Sequence, residues 1–263
     1  MDTPHQVTPD ITVLPAHFPI LGKFIPINAF VIKAKEPVLV DTGMGMDAEK
    51  FMEALGFVID PADIKWVWLT HDDADHDGNL QKVLEAAPNA RLATNCLAAV
   101  RMSATWPLSM QRVYWLNPGD SLRAGDRTLT AVRPPLFDNP TTVGIYDDKS
   151  EVFFSADFFG AHIPSPAQNA DDVLEPDLEQ GMMNWASADS PWLHLLEPSA
   201  LSRALDVIRQ MAPKMILSAH LPPARGRNEQ FLEWLMKVPA STPFVTPNQA
   251  VLEQILAQAE AVS

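Results

Sequence analysis

The sequence is poor in the means of covalent cross-linking: among 263 residues there is one cysteine, Cys96. No disulfide can form within the chain, so the fold needs no oxidising compartment. A lone cysteine without a thiolate partner in the sequence reads as a small buried hydrophobe rather than a nucleophile. Positive charge is scarce too. Nineteen Lys and Arg stand against 33 Asp and Glu, for a net charge of −14. Binding a phosphate backbone depends on Lys and Arg that displace its counterions, and no local basic patch is visible, so nucleic acid is excluded as a substrate. An anionic membrane surface is disfavoured on the same ground. No apolar run approaches the roughly 20 residues that span a bilayer. The opening residues Met1-Asp2-Thr3-Pro4-His5 lack the basic and apolar regions of a secretion signal. The expectation is a cytoplasmic chain with no membrane partner. Fixed-period repeats, low-complexity tracts and Gly/Ser-rich linkers are also missing, which argues for one domain over residues 1–263.

What is present is ample core material, with 47% hydrophobic residues. Short apolar runs predict strands over Ile11–Leu14, Ala29–Ile32, Pro37–Val40, Lys65–Leu69 and Ala90–Thr94. Helices are expected from Asp47 (as N-cap) through Leu55, over Asn79–Ala87 and over Leu97–Ser103. Two strands follow between Ser121 and Val132 around Gly125-Asp126. A hairpin is expected from Thr142–Tyr146 and Glu151–Ser155. The acidic, Met-rich stretch Ile163–Asp189 reads as partly helical. Then come a helix Pro198–Met211, a strand Lys214–Leu217, and helices Asn228–Lys237 and Gln249–Ala261. Two β-rich halves with helices outside make an α/β domain of layered sheets.

The chemistry concentrates in one loop. Thr70-His71-Asp72-Asp73-Ala74-Asp75-His76-Asp77-Gly78-Asn79 follows the apolar strand W-V-W-L and precedes a helix. His71, Asp73, Asp75 and His76 are a metal-ligand set by donor type. An Asp-rich loop also caps helices, and Asp77 or Asn79 suits that use. A cap engages one side chain, however. Packing four Asp and two His together without a cation would cost on the order of several kcal/mol in repulsion and shifted protonation.

This loop, T-H-D-D-A-D-H, resembles the T-H-x-H-x-D-H signature of the metallo-β-lactamase superfamily. Further landmarks follow in that family's order. Val40-Asp41-Thr42-Gly43 is similar to its early V-D-T-G turn, Ser155-Ala156-Asp157 to its bridging aspartate, and Ser218-Ala219-His220 to its last histidine ligand. The likeness covers about Ile11 to Pro223. The nearest branch is the flavodiiron and oxygen-binding diiron one, which carries an acid where hydrolases carry the second histidine, as Asp73 does here. The run Phe153 to His162 also resembles that branch's strand-Asp-x-F-G-x-H segment.

The resemblance implies a four-layer αββα sandwich holding two metal ions. One would be bound by His71, Asp73 and Asp138, the other by Asp75, His76 and His220, with Asp157 bridging. Asp138 enters because the family places a histidine there and this chain has none between His76 and His162. It is either a substitute ligand or a turn residue in D-N-P. So carboxylate-rich a set suits iron most, with manganese or zinc as alternatives. Asp41 is expected to hydrogen-bond the His loop, and Thr70 and Thr141 to fix it. Asp72 and Asp77 are expected to face solvent or cap. His162 is either a proton donor facing the pocket or a surface histidine. The stretch Met182 to His194 covers the site, forms a dimer surface, or is a helix buried on one face.

Two chemistries follow. In the first, the metals bind or reduce O₂ or a related small oxidant. No flavodoxin-like region follows the last helix, so electrons would come from a partner flavoprotein. In the second, a metal-bridging hydroxide attacks a small-molecule ester, lactone or amide. A non-catalytic metal or O₂ sensor is a third possibility. Pairing of two copies is implied by the resemblance. Two cations would leave the chain strongly negative, which argues against the superfamily's nucleases.

Overall fold

The computed structural model describes residues 1–260, and its strands follow the short apolar runs of the sequence. The first sheet holds β1 (His5–Thr8), β2 (Ile11–Ile20), β3 (Lys23–Ile32), β4 (Val38–Val40), β5 (Trp66–Trp68), β6 (Arg91–Thr94) and β7 (Val113–Trp115), side by side in chain order. Strands β1 to β4 run antiparallel, and β4 to β7 parallel. The second sheet is built from β8 (Ser121–Arg123), β9 (Thr128–Val132), β10 (Gly144–Asp147), β11 (Val152–Phe154), β12 (Met215–Leu217) and β13 (Ala224–Arg225), in the order β13-β12-β11-β10-β9-β8. Only β11 and β12 pair parallel there. The helices are α1 (Ala48–Val58), α2 (Leu80–Ala86), α3 (Cys96–Ser103), α4 (Glu175–Asp189), α5 (Pro198–Met211), α6 (Asn228–Leu235) and α7 (Gln249–Glu260). Ala261, the expected end of the last helix, lies outside the described residues.

Side chains alternate across a strand, and that alternation sorts the apolar residues into three layers of core. Val38 and Val40 pack between the sheets with Ile145, Phe154 and Leu217, while Leu39 points outward to Phe51, Leu55 and Val83 of α1 and α2. Val152 and Phe154 face the other sheet, while Phe153 joins Met182, Leu201, Leu205 and Phe231 of α4 to α6. Phe30 and Phe154 meet edge-to-face across the sheets, with ring centroids 5.4 Å apart. Each fully buried side chain of this size contributes about 1.5–3 kcal/mol. The result is the expected α/β sandwich of four layers, helices outside and two sheets within.

Several boundaries differ from expectation. β2 and β3 form a ten-residue hairpin, from Ile11↔Ile32 to Ile20↔Lys23, where runs of four were expected. Pro15, Pro19 and Pro26 break the sequence pattern, since proline cannot donate to a ladder. Neither β1 nor β7 was expected: HQVT is polar and VYW is short. Asp47 and Asn79 precede α1 and α2 but make no side-chain cap. Asp47 instead pairs with Lys50 at 3.3 Å, and Asn79 donates to the Thr42 and Met44 carbonyls.

The loops after β4, β5, β11 and β12 bear Asp41, His71 to His76, Asp157 and His220 in turn. Ligand sites of α/β sheets lie beyond the carboxyl ends of parallel strands, and this fold brings four such ends together.

Candidate metal centre

Asp41 organises the centre from behind. It sits at φ +56°, a left-handed conformation that Asp tolerates better than most residues. Its carboxylate accepts from the Thr70 backbone N–H at 2.8 Å, the Thr70 hydroxyl at 2.9 Å and His76 Nδ1 at 3.0 Å. With its proton committed to Asp41, the Thr70 oxygen accepts from His71 Nδ1 at 3.1 Å. His220 Nδ1 donates to the Pro26 carbonyl at 2.9 Å, and Asn28 holds the same loop by donating to the Ser218 and Leu221 carbonyls. All three rings are thereby held by Nδ1. That selects the tautomer with its lone pair on Nε2 and turns the lone pair inward.

The three inward nitrogens converge on Asp157. His71 Nε2 lies 3.1 Å from Oδ2, while His76 Nε2 and His220 Nε2 lie 3.0 and 3.1 Å from Oδ1. All four side chains are buried. Despite these approaches, His71 Nε2 and Asp157 Oδ1 make no aligned hydrogen bond. Buried polar atoms without partners are costly, and imidazole lone pairs facing a carboxylate repel it. Donor atoms bound side by side to one ion at about 2.0–2.2 Å lie about 3 Å apart. A cation among them resolves both problems, so the donor set fits a metal.

The backbone around Asp157 is held under strain. Ala156 and Phe159 adopt φ of +52° and +70°, conformations that cost of order 1–3 kcal/mol each. The Ala156 carbonyl is fixed by the Ala219 N–H and the Ser218 hydroxyl, both at 2.9 Å, and the Ser155 hydroxyl donates to the Phe158 carbonyl at 2.7 Å.

The remaining predicted residues fall on either side. Asp75 lies 3.4 Å from His220 Nε2 and 3.8 Å from His76 Nε2, and the three offer donor atoms within 4.8 Å of one another. His71, Asp73 and Asp138 form a second such group, with Asp73 3.6 Å from His71 Nε2. The fold thus brings the seven residues named from the sequence to one place. Asp138 shares a further group with Asp157 and Asp189, and sequence reasoning missed Asp189. Asn139 was also missed as a contact. Its amide donates to Asp73 at 2.8 Å and orients that carboxylate.

Asp72 corrects the expectation of a solvent-facing or capping side chain. It accepts from Arg101 Nε at 2.6 Å and from the Thr141 hydroxyl at 2.9 Å, and Arg101 also reaches Asn139 at 2.9 Å. An Arg guanidinium presents a planar fork that matches a carboxylate, and here it clamps the loop rim. Asp77 caps nothing either: the 80–86 helix has no side-chain cap.

Trp185 covers the centre. Its ring lies 4.4 Å from that of His220, and its indole N–H donates to the Asp157 carbonyl at 3.1 Å. Gly160 permits this approach, since a Cβ there would overlap the indole. The Met- and Trp-rich stretch is therefore both a helix buried on one face, at Leu178, Met182 and Ala186, and a cover for the site. His162 sits edge-on to Trp185 at 5.7 Å, outside the groups within bonding reach of one another.

The electrostatics follow from burial opposed by pairing. Burial would lower His76, but Asp157 and Asp41 outweigh it and hold the imidazole well above its usual range. Burial would raise Asp157, but His71 and His76 hold it well below the usual carboxylate range. On the open side the histidines are outweighed. Burial and the Asp157 charge push Asp138 up to about 6, and burial with Asp157 and Asp138 pushes Asp189 up to about 7. Clustered, strongly shifted groups in a cleft mark a functional site.

The family model described as ODP family beta lactamase matches residues 25–220. The anaerobic nitric oxide reductase flavorubredoxin of Salmonella typhi is 26% identical over 215 residues, 80% of this chain and 44% of the relative. The rubredoxin-oxygen oxidoreductase of Megalodesulfovibrio gigas is 24% identical over 205 residues, 77% of this chain and 50% of the relative. The crystal structure of the flavodiiron protein from Giardia intestinalis superposes with a TM-score of 0.79 at 19% identity, covering 91% of this chain and 60% of that one. The chain spans about half or less of the length of the curated relatives it matches. From the strand that carries Pro26 to the ring of His220, it belongs to the ODP family of β-lactamases, in the flavodiiron branch of the metallo-β-lactamase fold.

Proposed function

We propose that the chain is a diiron oxidoreductase core that reduces O₂ or nitric oxide with electrons from an external flavoprotein or rubredoxin-type donor. The observation that carries this reading is the convergence of three Nδ1-anchored histidines on the unsatisfied Asp157 carboxylate, flanked by Asp73, Asp75 and Asp138. One ion would be held by His71, Asp73 and Asp138, the other by Asp75, His76 and His220, with Asp157 between them. Iron pairs held this way supply redox chemistry toward small oxidants. The chain's own residues do the rest: Asp41, Thr70 and Pro26 orient the imidazoles, Asn139 orients Asp73, and Trp185 with Phe158 excludes water beside Asp157. A donor set this rich in carboxylate suits iron or manganese above zinc. The names of the two curated relatives, a nitric oxide reductase and a rubredoxin-oxygen oxidoreductase, support the oxidants named.

His162 is proposed as a proton donor acting from behind Trp185; His162→Ala would then slow turnover without lowering metal content. Pairing of two copies belongs to the same reading, and light scattering checks it. For the activity itself, O₂ and nitric oxide electrodes would follow the iron-loaded chain supplied with a reduced flavoprotein or rubredoxin. Consumption of either gas is expected. A chain carrying stoichiometric zinc and turning over esters or lactones would contradict the proposal.

A further inference from the structure

We infer that Asp189, in the last turn of α4, is an additional metal ligand of this centre, serving the ion held by His71, Asp73 and Asp138. The inference rests on the dinuclear reading above and adds a ligand to it. One oxygen from each of Asp138, Asp157 and Asp189 lies within 4.8 Å of the others. The Asp189 carboxylate accepts a hydrogen bond from its neighbour, the Ser190 hydroxyl, at 3.2 Å. It pairs with no Lys or Arg among the described residues.

The helix end makes this placement worse for an acid. The last carbonyls of a helix carry partial negative charge, which favours cations and opposes carboxylates. Yet the structure pins α4 so that its last turn faces Asp157: the Trp185 N–H is bonded to the Asp157 carbonyl, and its ring lies against His220. A second observation is independent of the acids. His71 Nε2, wholly buried and without a hydrogen bond, points at Asp157 from 3.1 Å, and His71 also shares a group with Asp138. Three carboxylates within reach of one another, one of them also faced by an unsatisfied imidazole nitrogen, call for a cation.

The shortage of imidazole on this side gives Asp189 its place. Asp138 is exposed and Asp73 is two-fifths exposed, so neither closes the site alone. Asp189 lines a small pocket together with Asp157, Leu136, Phe158 and Trp185. With it, the first ion would meet one imidazole and four carboxylates, a set suited to Mn²⁺ or iron rather than Zn²⁺.

The test is Mn²⁺ binding to the full, metal-free chain, followed by calorimetry and by EPR of the unbound ion. Wild type should bind about two ions. Asp189→Asn, which keeps the shape and removes the charge, should keep one ion and weaken the other at least tenfold. Asp177→Asn, exposed on the same helix, should change neither. Two equal sites in Asp189→Asn would overturn the inference and leave the dinuclear reading intact. A wild type that binds fewer than two ions would overturn the reading itself and the inference with it. Should Asp189→Asn fail to fold, anomalous diffraction from wild-type crystals grown with Mn²⁺ decides: Asp189 bonded to an ion supports the inference, and Asp189 beyond bonding distance refutes it.

Discussion

Asp157 is the residue on which the centre turns. Its two oxygens meet all three inward imidazoles, and its backbone lies between left-handed Ala156 and left-handed Phe159. Asp157→Asn keeps the shape but removes the charge that outweighs the burial of His71, His76 and His220. We expect that variant to lose at least one metal ion per chain by elemental analysis. Asp41 acts one step back, through Thr70 and His76. Asp41→Ala should lower metal affinity by about 10–100-fold while the three imidazoles remain, measured by competition with a chelator. The residues that sequence reading found are those that a local pattern marks: His71, Asp73, Asp75 and His76 stand within six positions. Asp189 carries no such mark. It lies 32 residues past Asp157 on an acidic helix, and only the docking of Trp185 brings it to the centre. Asp72 was misplaced for a similar reason, because its partner Arg101 belongs to a helix that no motif connects to it.

At the scale of elements, the site depends on loops that pack backbone to backbone. Gly78, after the His loop, lies so close to Gly45 N and to the Gly43 and Ala74 carbonyls that a Cβ would overlap all three. Gly78→Ala should therefore displace the loop, lower the thermal midpoint and release metal together, seen by calorimetry and metal analysis. Farther away, Arg127 in the β8–β9 turn binds both Asp10 of the β1–β2 turn and buried Asp147 at the end of β10. Arg127→Met leaves Asp147 buried and unpaired and should cost about 3–5 kcal/mol, measured by urea unfolding. Burial raises Asp10, but its bond to Arg127 prevails and holds the carboxyl below its usual 3.8. A depressed acid contributes stability that is full above its ordinary value and lost as pH falls through the folded one. Asp10→Asn should therefore flatten the decline in thermal midpoint below about pH 4, and an unchanged decline would contradict the assignment. The layered strands were legible because apolar alternation marks them. The β2–β3 hairpin was half hidden by its prolines, and β1 and β7 by polarity and brevity.

For the whole molecule, the surplus of acid and the site share one logic. The chain carries 33 acids, and the fold gathers five of them, Asp73, Asp75, Asp138, Asp157 and Asp189, around three imidazoles. Elsewhere several acids pair with Arg and Lys, as Asp10 and Asp147 do with Arg127. Here they face one another beside the carboxyl ends of the parallel strands, more acids than the three imidazoles can balance. No helix among the described residues is long and apolar enough to cross a membrane. The order of landmarks along the sequence made the family and the four layers legible, whereas the chemistry depends on which ions the centre selects. Elemental analysis of the chain purified without oxygen, supported by Mössbauer spectroscopy, tests that selection most directly. The account predicts about two irons per chain, magnetically coupled; stoichiometric zinc, or a single uncoupled ion, would contradict it.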